Sequence, residues 1–175
     1  MKPTGAMERP LDRLILLRHG EAERDSQTGE DFDRPLAARG QKESAATGEA
    51  LAELGLVPDL ALASGALRTR ETWIAVAPAF PKARVKFDDN LYLAEADPIR
   101  RRAEAPGQGA GALLVIGHNP GLQELALALL IEGAAPQSAI ARMRTGFPTG
   151  GAAVFLIDAN GRPAYDGLFY PRDRR

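Results

Sequence analysis

Short apolar runs alternating with amphipathic segments predict an α/β protein, a mostly parallel sheet covered by helices on both faces. Two observations lead there. Residues 14–17, 59–63 and 112–116 are brief apolar stretches, the pattern of strands buried on both sides. Glycine-bearing turns close them, and segments with helical spacing lie between them. A chain of 175 residues suits one such domain with a proper core.

The elements follow in order. Residues 1–11 are polar and carry proline, so a flexible arm is expected ahead of a single domain over 12–175. Residues 14–17 make the first strand, and a polar loop then runs to Arg34-Pro35. Over 36–54, Ala37, Ala45, Leu51 and Leu54 lie among Glu, Lys and Gln, which predicts an amphipathic helix with Gly55 as its C-cap. The second strand, 59–63, ends at Ser64-Gly65, and a helix over 67–76 is stopped by Pro78 and Pro81. A third strand is expected at 84–87 and a short helix at 98–105. The strand at 112–116 is closed by Gly117-His118-Asn119-Pro120-Gly121, and 122–131 is apolar and long enough for a helix. Two last strands, 152–157 and 165–170, meet at a turn on Asn160-Gly161 and add an antiparallel hairpin.

Composition narrows the chemistry. The net charge of −1 creates no global field toward nucleic acid or anionic lipid, so any cationic site must be local. Without cysteine there is no disulfide, thiolate catalysis or Cys-based zinc site. No apolar run spans a bilayer, and Met1 to Pro10 lacks the apolar stretch of a signal peptide. A soluble, cytoplasmic protein is expected.

The chain has two histidines, and both follow a buried-strand run with glycine beside them. Ligands in open α/β sheets bind beyond the carboxyl ends of the strands, where His19 and His118 are predicted. One histidine at a strand end is most often an ordinary loop residue; two in the same setting, one flanked by Arg18, are not. A metal site is disfavoured by the lack of close His spacing and by a guanidinium next to His19. That guanidinium suits an anion, because its planar fork matches phosphate oxygens. A neutral imidazole can accept a phosphoryl group, and phosphoryl transfer needs fixed cationic donors around it. Arg68, in the first turns of the helix after the second strand, starts from the same sheet edge. Arg70 points to another helix face, Arg100, Arg101 and Arg102 read as surface charges, and pattern alone leaves Arg34 open.

These residues resemble the motifs of the histidine phosphatase (phosphoglycerate mutase-like) superfamily. Leu17-Arg18-His19-Gly20-Glu21-Ala22 resembles its Arg-His-Gly signature, and Arg34-Pro35-Leu36 with Arg39-Gly40 its Arg-Pro-Leu stretch. Residues 64–72 resemble Ser-Pro-x-x-Arg-Ala-x-x-Thr, and 115–120 the motif of the second histidine. Phe147-Pro148-Thr149-Gly150 resembles a late segment of the SixA-like branch. The resemblance implies a three-layer α/β/α sandwich on a mixed, mainly parallel sheet. It implies His19 as nucleophile, Arg18 and Arg68 as phosphate ligands, His118 as stabiliser of the transferring group, and Arg34 and Gly20 as further substrate contacts. No cofactor is implied. Two departures stand out: Gly65 replaces a proline, and Glu95, the candidate general acid, is out of register with the family's Leu-x-Glu.

Those features bear on the substrate. An alkoxide leaving group needs a proton donor, whereas an imidazole leaving from phosphohistidine, with a reference pKa of about 6.5, does not. Only a short helix separates the Arg68 segment from the strand before His118, which leaves no room for a large lid. The expected function is dephosphorylation of phosphohistidine on a protein, as the SixA-like branch implies. The alternatives are a small-molecule phosphomonoesterase acting on a small phosphate ester, and a phosphate-binding module without turnover. Neither nucleic acid nor membrane is an expected partner.

Overall fold

The computed structural model describes residues 10–105 and 110–171, so most of the expected N-terminal arm lies outside the described residues. Six strands form one mixed sheet: β1 (Arg13–Arg18), β2 (Leu60–Ala63), β3 (Arg84–Phe87), β4 (Ala112–Gly117), β5 (Ala152–Ile157) and β6 (Pro163–Phe169), in the order β3-β2-β4-β1-β5-β6. β3, β2, β4 and β1 run parallel, and β5 and β6 close the sheet antiparallel, as the terminal hairpin predicted.

Five helices cover the sheet: α1 (Ala38–Glu53), α2 (Leu67–Val76), α3 (Ala96–Glu104), α4 (Gly121–Glu132) and α5 (Gln137–Thr145). Side chains alternate across each strand, so β1 sends Leu14 and Leu16 to one face and Ile15 and Leu17 to the other. The first pair joins Ile99, Leu125, Leu129 and Met143 beneath α3, α4 and α5. The second joins Leu51, Trp73 and Val76 beneath α1 and α2. This is the expected three-layer sandwich. The parallel strands β1, β2 and β4 could not otherwise hide both of their apolar faces, whereas β3 is a largely exposed edge strand.

Several local expectations change. The buried side of α1 is Gly40, Ser44, Thr47, Gly48, Ala50 and Leu51, while Leu54 is 65% exposed and Ala45 only half-buried. Small and hydroxylated residues face inward because α1 lies close against α2, and Thr47 Oγ1 donates to Gly150 O at 2.7 Å. Gly55 does end α1: at φ 72° it lets Leu56 N–H reach Leu51 O and its own N–H reach Ala52 O. α5 was not foreseen. Its residues do favour helix, with Pro136 before and Gly146 after them, and Ala139, Ile140 and Met143 fall on one side at helical spacing and are buried where α5 packs on α4. Arg100 is more than a surface charge, since it bonds Glu104 and both carboxylate oxygens of Glu132, tying α3 to α4.

The proline missing at Gly65 has a steric account. A Cβ there would stand 1.8 Å from Asp89 Oδ1 and 3.3 Å from Phe32 Cζ. The space a side chain would need is filled by two loops that reach over the sheet edge.

Candidate active site

β1 and β4 are adjacent and parallel, with Arg18 paired to Gly117, so the next residues of both strands leave the sheet side by side. His19 N–H donates to Gly117 O at 3.1 Å, and the rings of His19 and His118 stand 5.2 Å apart. Both are buried, at 8% and 2% exposure. Two motifs separated by about a hundred residues thus become one site through a single strand pairing.

His19 Nδ1–H donates to the carbonyl of Gly20 at 2.7 Å, which leaves Nε2 with its lone pair. Gly20 is held in turn, its N–H on Thr72 Oγ1 at 3.0 Å, and Thr72 bonds the carbonyl of Arg68. Both backbone groups of Gly20 are therefore engaged beneath His19. His118 Nε2 lies 2.7 Å from Ser64 Oγ, at the carboxyl end of β2. Its Nδ1 is buried without a partner, as is Arg18 Nε.

Three arginines converge on the pair. Arg18 Nη1 donates to Phe147 O at 2.9 Å, a carbonyl that also accepts from Asn119 Nδ2 at 2.9 Å. Gly150 N–H bonds the carbonyls of Arg18 and His19, so the 147–150 segment braces the first motif. Arg68 is 3% exposed and Arg34 lies at the rim, its Nε on Glu23 O at 2.8 Å. Arg70 is turned away onto Gly65 O and the ring of Phe87.

The electrostatics follow from this crowding. Burial first, then the charges of Arg68, Arg18 and Arg34, push His19 down to about 4, against the bond to Gly20. Burial, His19 and Arg68 push His118 down to about 3, opposed by Asp31. Burial and Arg68 lower Arg18 as well, although a guanidinium stays charged. Both imidazoles are therefore neutral at pH 7, in a pocket with an excess of buried positive charge. Such a site is competent to bind a dianion and to present Nε2 of His19 to it.

Two residues absent from the sequence reading stand at the centre of the rim. Asp31, on the short 3-10 turn Asp31–Asp33, accepts from Tyr92 Oη at 2.5 Å, Arg34 Nη1 at 2.8 Å and Arg68 Nη2 at 3.0 Å. Those bonds, Tyr92 first, hold its carboxyl far below the usual carboxylate range. Tyr92 lies edge-on to His118, with ring centres 5.5 Å apart. Neither residue sits beside a histidine in sequence; only the spacing of Asp31 three residues before Arg34 hinted at a shared turn. Glu95 is elsewhere. It is exposed at the start of α3 and lines a depression of about 290 Å³ with Leu93, Asp97, Pro120, Gly121 and Glu124.

The profile of the histidine phosphatase superfamily (branch 1) matches residues 14–97. An uncharacterised chloroplastic protein of Arabidopsis thaliana is 30% identical over 171 residues, 91% of this chain and 78% of that protein. Among solved structures, one assigned as the phosphohistidine phosphatase SixA of Agrobacterium tumefaciens superposes with a TM-score of 0.80 at 28% identity, covering 92% of this chain and 99% of that one. The protein histidine phosphatase SixA complexed with tungstate has the same fold, with a TM-score of 0.74 at 22% identity over 93% and 99% of the two chains. The chain belongs to the histidine phosphatase superfamily, and its fold is phosphoglycerate mutase-like. It is a hydrolase of that class, acting on phosphorylated substrates. Among the described residues, no helix is long and apolar enough to cross a membrane.

Proposed function

We propose that the protein removes phosphate from phosphohistidine on another protein, through a phosphoryl intermediate on His19. Nε2 of His19 attacks phosphorus, and the bond from phosphorus to the substrate's ring nitrogen breaks. The bonding pair returns to the leaving ring, which carries a proton on its far nitrogen and departs neutral. Water then attacks phosphorus, the bond to His19 breaks with its pair returning to Nε2, and the proton from water passes to phosphate or solvent. Arg18, Arg68 and Arg34 neutralise the phosphoryl oxygens, His118 donates to them, and Gly20 fixes the tautomer of His19.

The observation that carries this reading is the supply of protons. Asp31 is the carboxylate whose charge is felt at His118, and two arginines and a phenol keep it ionised. The phenol of Tyr92 is raised by burial and by Asp31, so it holds its proton. Asp31 has no proton to give and the phenol proton of Tyr92 is committed to Asp31, so neither is aimed at an alkoxide, and an imidazole that departs neutral needs neither. A cytoplasmic setting belongs to the same reading and suits a chain without cysteine. The small-molecule reading keeps one support, the depression beside Pro120 that Glu95 lines.

Turnover on a phosphohistidine protein, sugar phosphates and an aryl phosphate tests the assignment, with each reaction also quenched in denaturant. Phosphohistidine and the aryl phosphate are expected to react fastest, through a trapped acid-labile, base-stable phosphoenzyme that His19→Ala lacks. Sugar phosphates turning over as fast as phosphohistidine would refute the substrate. No trapped phosphoenzyme and no turnover would leave a binding module.

A further inference from the structure

We propose that Asp31 is a positioning residue of the phosphate pocket, holding Arg68 and Arg34 in place from one short turn and tethering Tyr92 beside His118. Arg68 is too buried to be oriented by water. Its Nη1 donates to the carbonyl of Asp31 at 2.8 Å and its Nη2 to Asp31 Oδ2 at 3.0 Å. A guanidinium has five N–H groups, so about three remain for a substrate's oxygens. The other carboxylate oxygen takes Arg34 Nη1 at 2.8 Å. In a 3-10 turn residues three apart fall on one side, which is why Asp31 and Arg34 meet. Tyr92 donates to the oxygen that Arg68 also uses, and its ring packs edge-on to Phe32 and His118. One carboxylate therefore joins the two arginines to the wall of the second histidine. Arg18 and Arg68 repel one another, and without an anchor Arg68 would swing away from Arg18.

The proposal rests on reading this pocket as a phosphate site and is independent of which phosphorylated molecule is the substrate. It also makes a prediction against simple electrostatics. Removing a negative charge beside an anion site tightens anion binding by Coulomb's law alone, whereas removing an anchor loosens it. Tungstate binding to the full chain, measured by calorimetry, decides between them. Asp31→Ala is expected to bind tungstate about tenfold more weakly, with kcat/KM on an aryl phosphate falling by a similar factor, because both read the placement of Arg68. Asp31→Asn keeps an acceptor for Arg68 and is expected to lie between Ala and wild type. Tyr92→Phe keeps the ring and loses about two- to threefold. Should the alanine variant fail to fold, the asparagine and phenylalanine variants carry the test. Variants that bind tungstate as tightly as wild type, or more tightly, overturn the positioning role. A wild type that binds no tungstate overturns the pocket, and the proposal with it.

Discussion

His19 keeps a neutral ring among three arginines because burial and cationic neighbours penalise the same charged state, and its bond to Gly20 directs the free pair to Nε2. Asp31 answers the opposite question, why a carboxylate at the rim cannot act as an acid: its proton is displaced by two guanidinium groups and a phenol. Glu95 shares none of those contacts and stands exposed. Glu95→Gln is therefore expected to leave turnover of phosphohistidine and of an aryl phosphate within about twofold of wild type. A loss confined to sugar phosphates would instead make Glu95 the acid of a small-molecule phosphatase. Steady-state rates on the three substrate classes read the difference.

At the scale of elements, the site depends on how closely α1 approaches the turn after β1. A Cβ on Gly40 would stand 2.1 Å from the carbonyl oxygen of Glu21, a backbone atom that cannot rotate aside. Helix propensity alone favours Gly40→Ala by about 1 kcal/mol, while overpacking of a tight contact costs about 1–3 kcal/mol. The steric term is expected to win, giving a net loss of stability in denaturant titration. The displaced Gly20–Glu21 turn should lower aryl phosphate turnover as well. A variant more stable than wild type would mean that α1 can shift freely. Closeness to the Gly20–Glu21 turn at Gly40 and Ser44, and to α2 at Gly48, explains why the inner face of α1 is small and polar where an apolar stripe was expected.

For the whole molecule, the two buried imidazoles link folding to pH. Unfolded histidines titrate near about 6.5, whereas the folded values are pushed down to about 4 and about 3. Between those limits the unfolded chain binds more protons, so stability rises with pH and falls as the solution is acidified below about 6.5. Each histidine contributes a slope of about 1.4 kcal/mol per pH unit inside its window. Asp31, with its carboxyl lowered, adds a loss that begins as the unfolded carboxyl protonates, in the ordinary range near about pH 4, and continues down to its lowered folded value. Urea midpoints from pH 7 to pH ~4.5 should therefore decline, and His118→Asn should flatten about half of the slope. A flat profile in the wild-type protein would contradict the burial of both rings.

Local pattern by itself determined the α/β class, the strand runs, the paired address of His19 and His118, and the arginines worth following. These are legible because a buried strand must be apolar at every position and because glycine marks where backbone approaches closely. Pattern left Arg34 open and the resemblance gave it a role; the structure adds its turn with Asp31. Tertiary structure alone decided the rest: the polar inner face of α1, the use of Phe147 O to brace Arg18, and the joining of Asp31 and Tyr92 to the pocket. Asp31 and Tyr92 are 61 residues apart and Arg18 and Phe147 129, and no local period encodes a partner that distant. Parallel pairing of β1 with β4 sets the distance between the histidines, and the loops above it set which charges they meet.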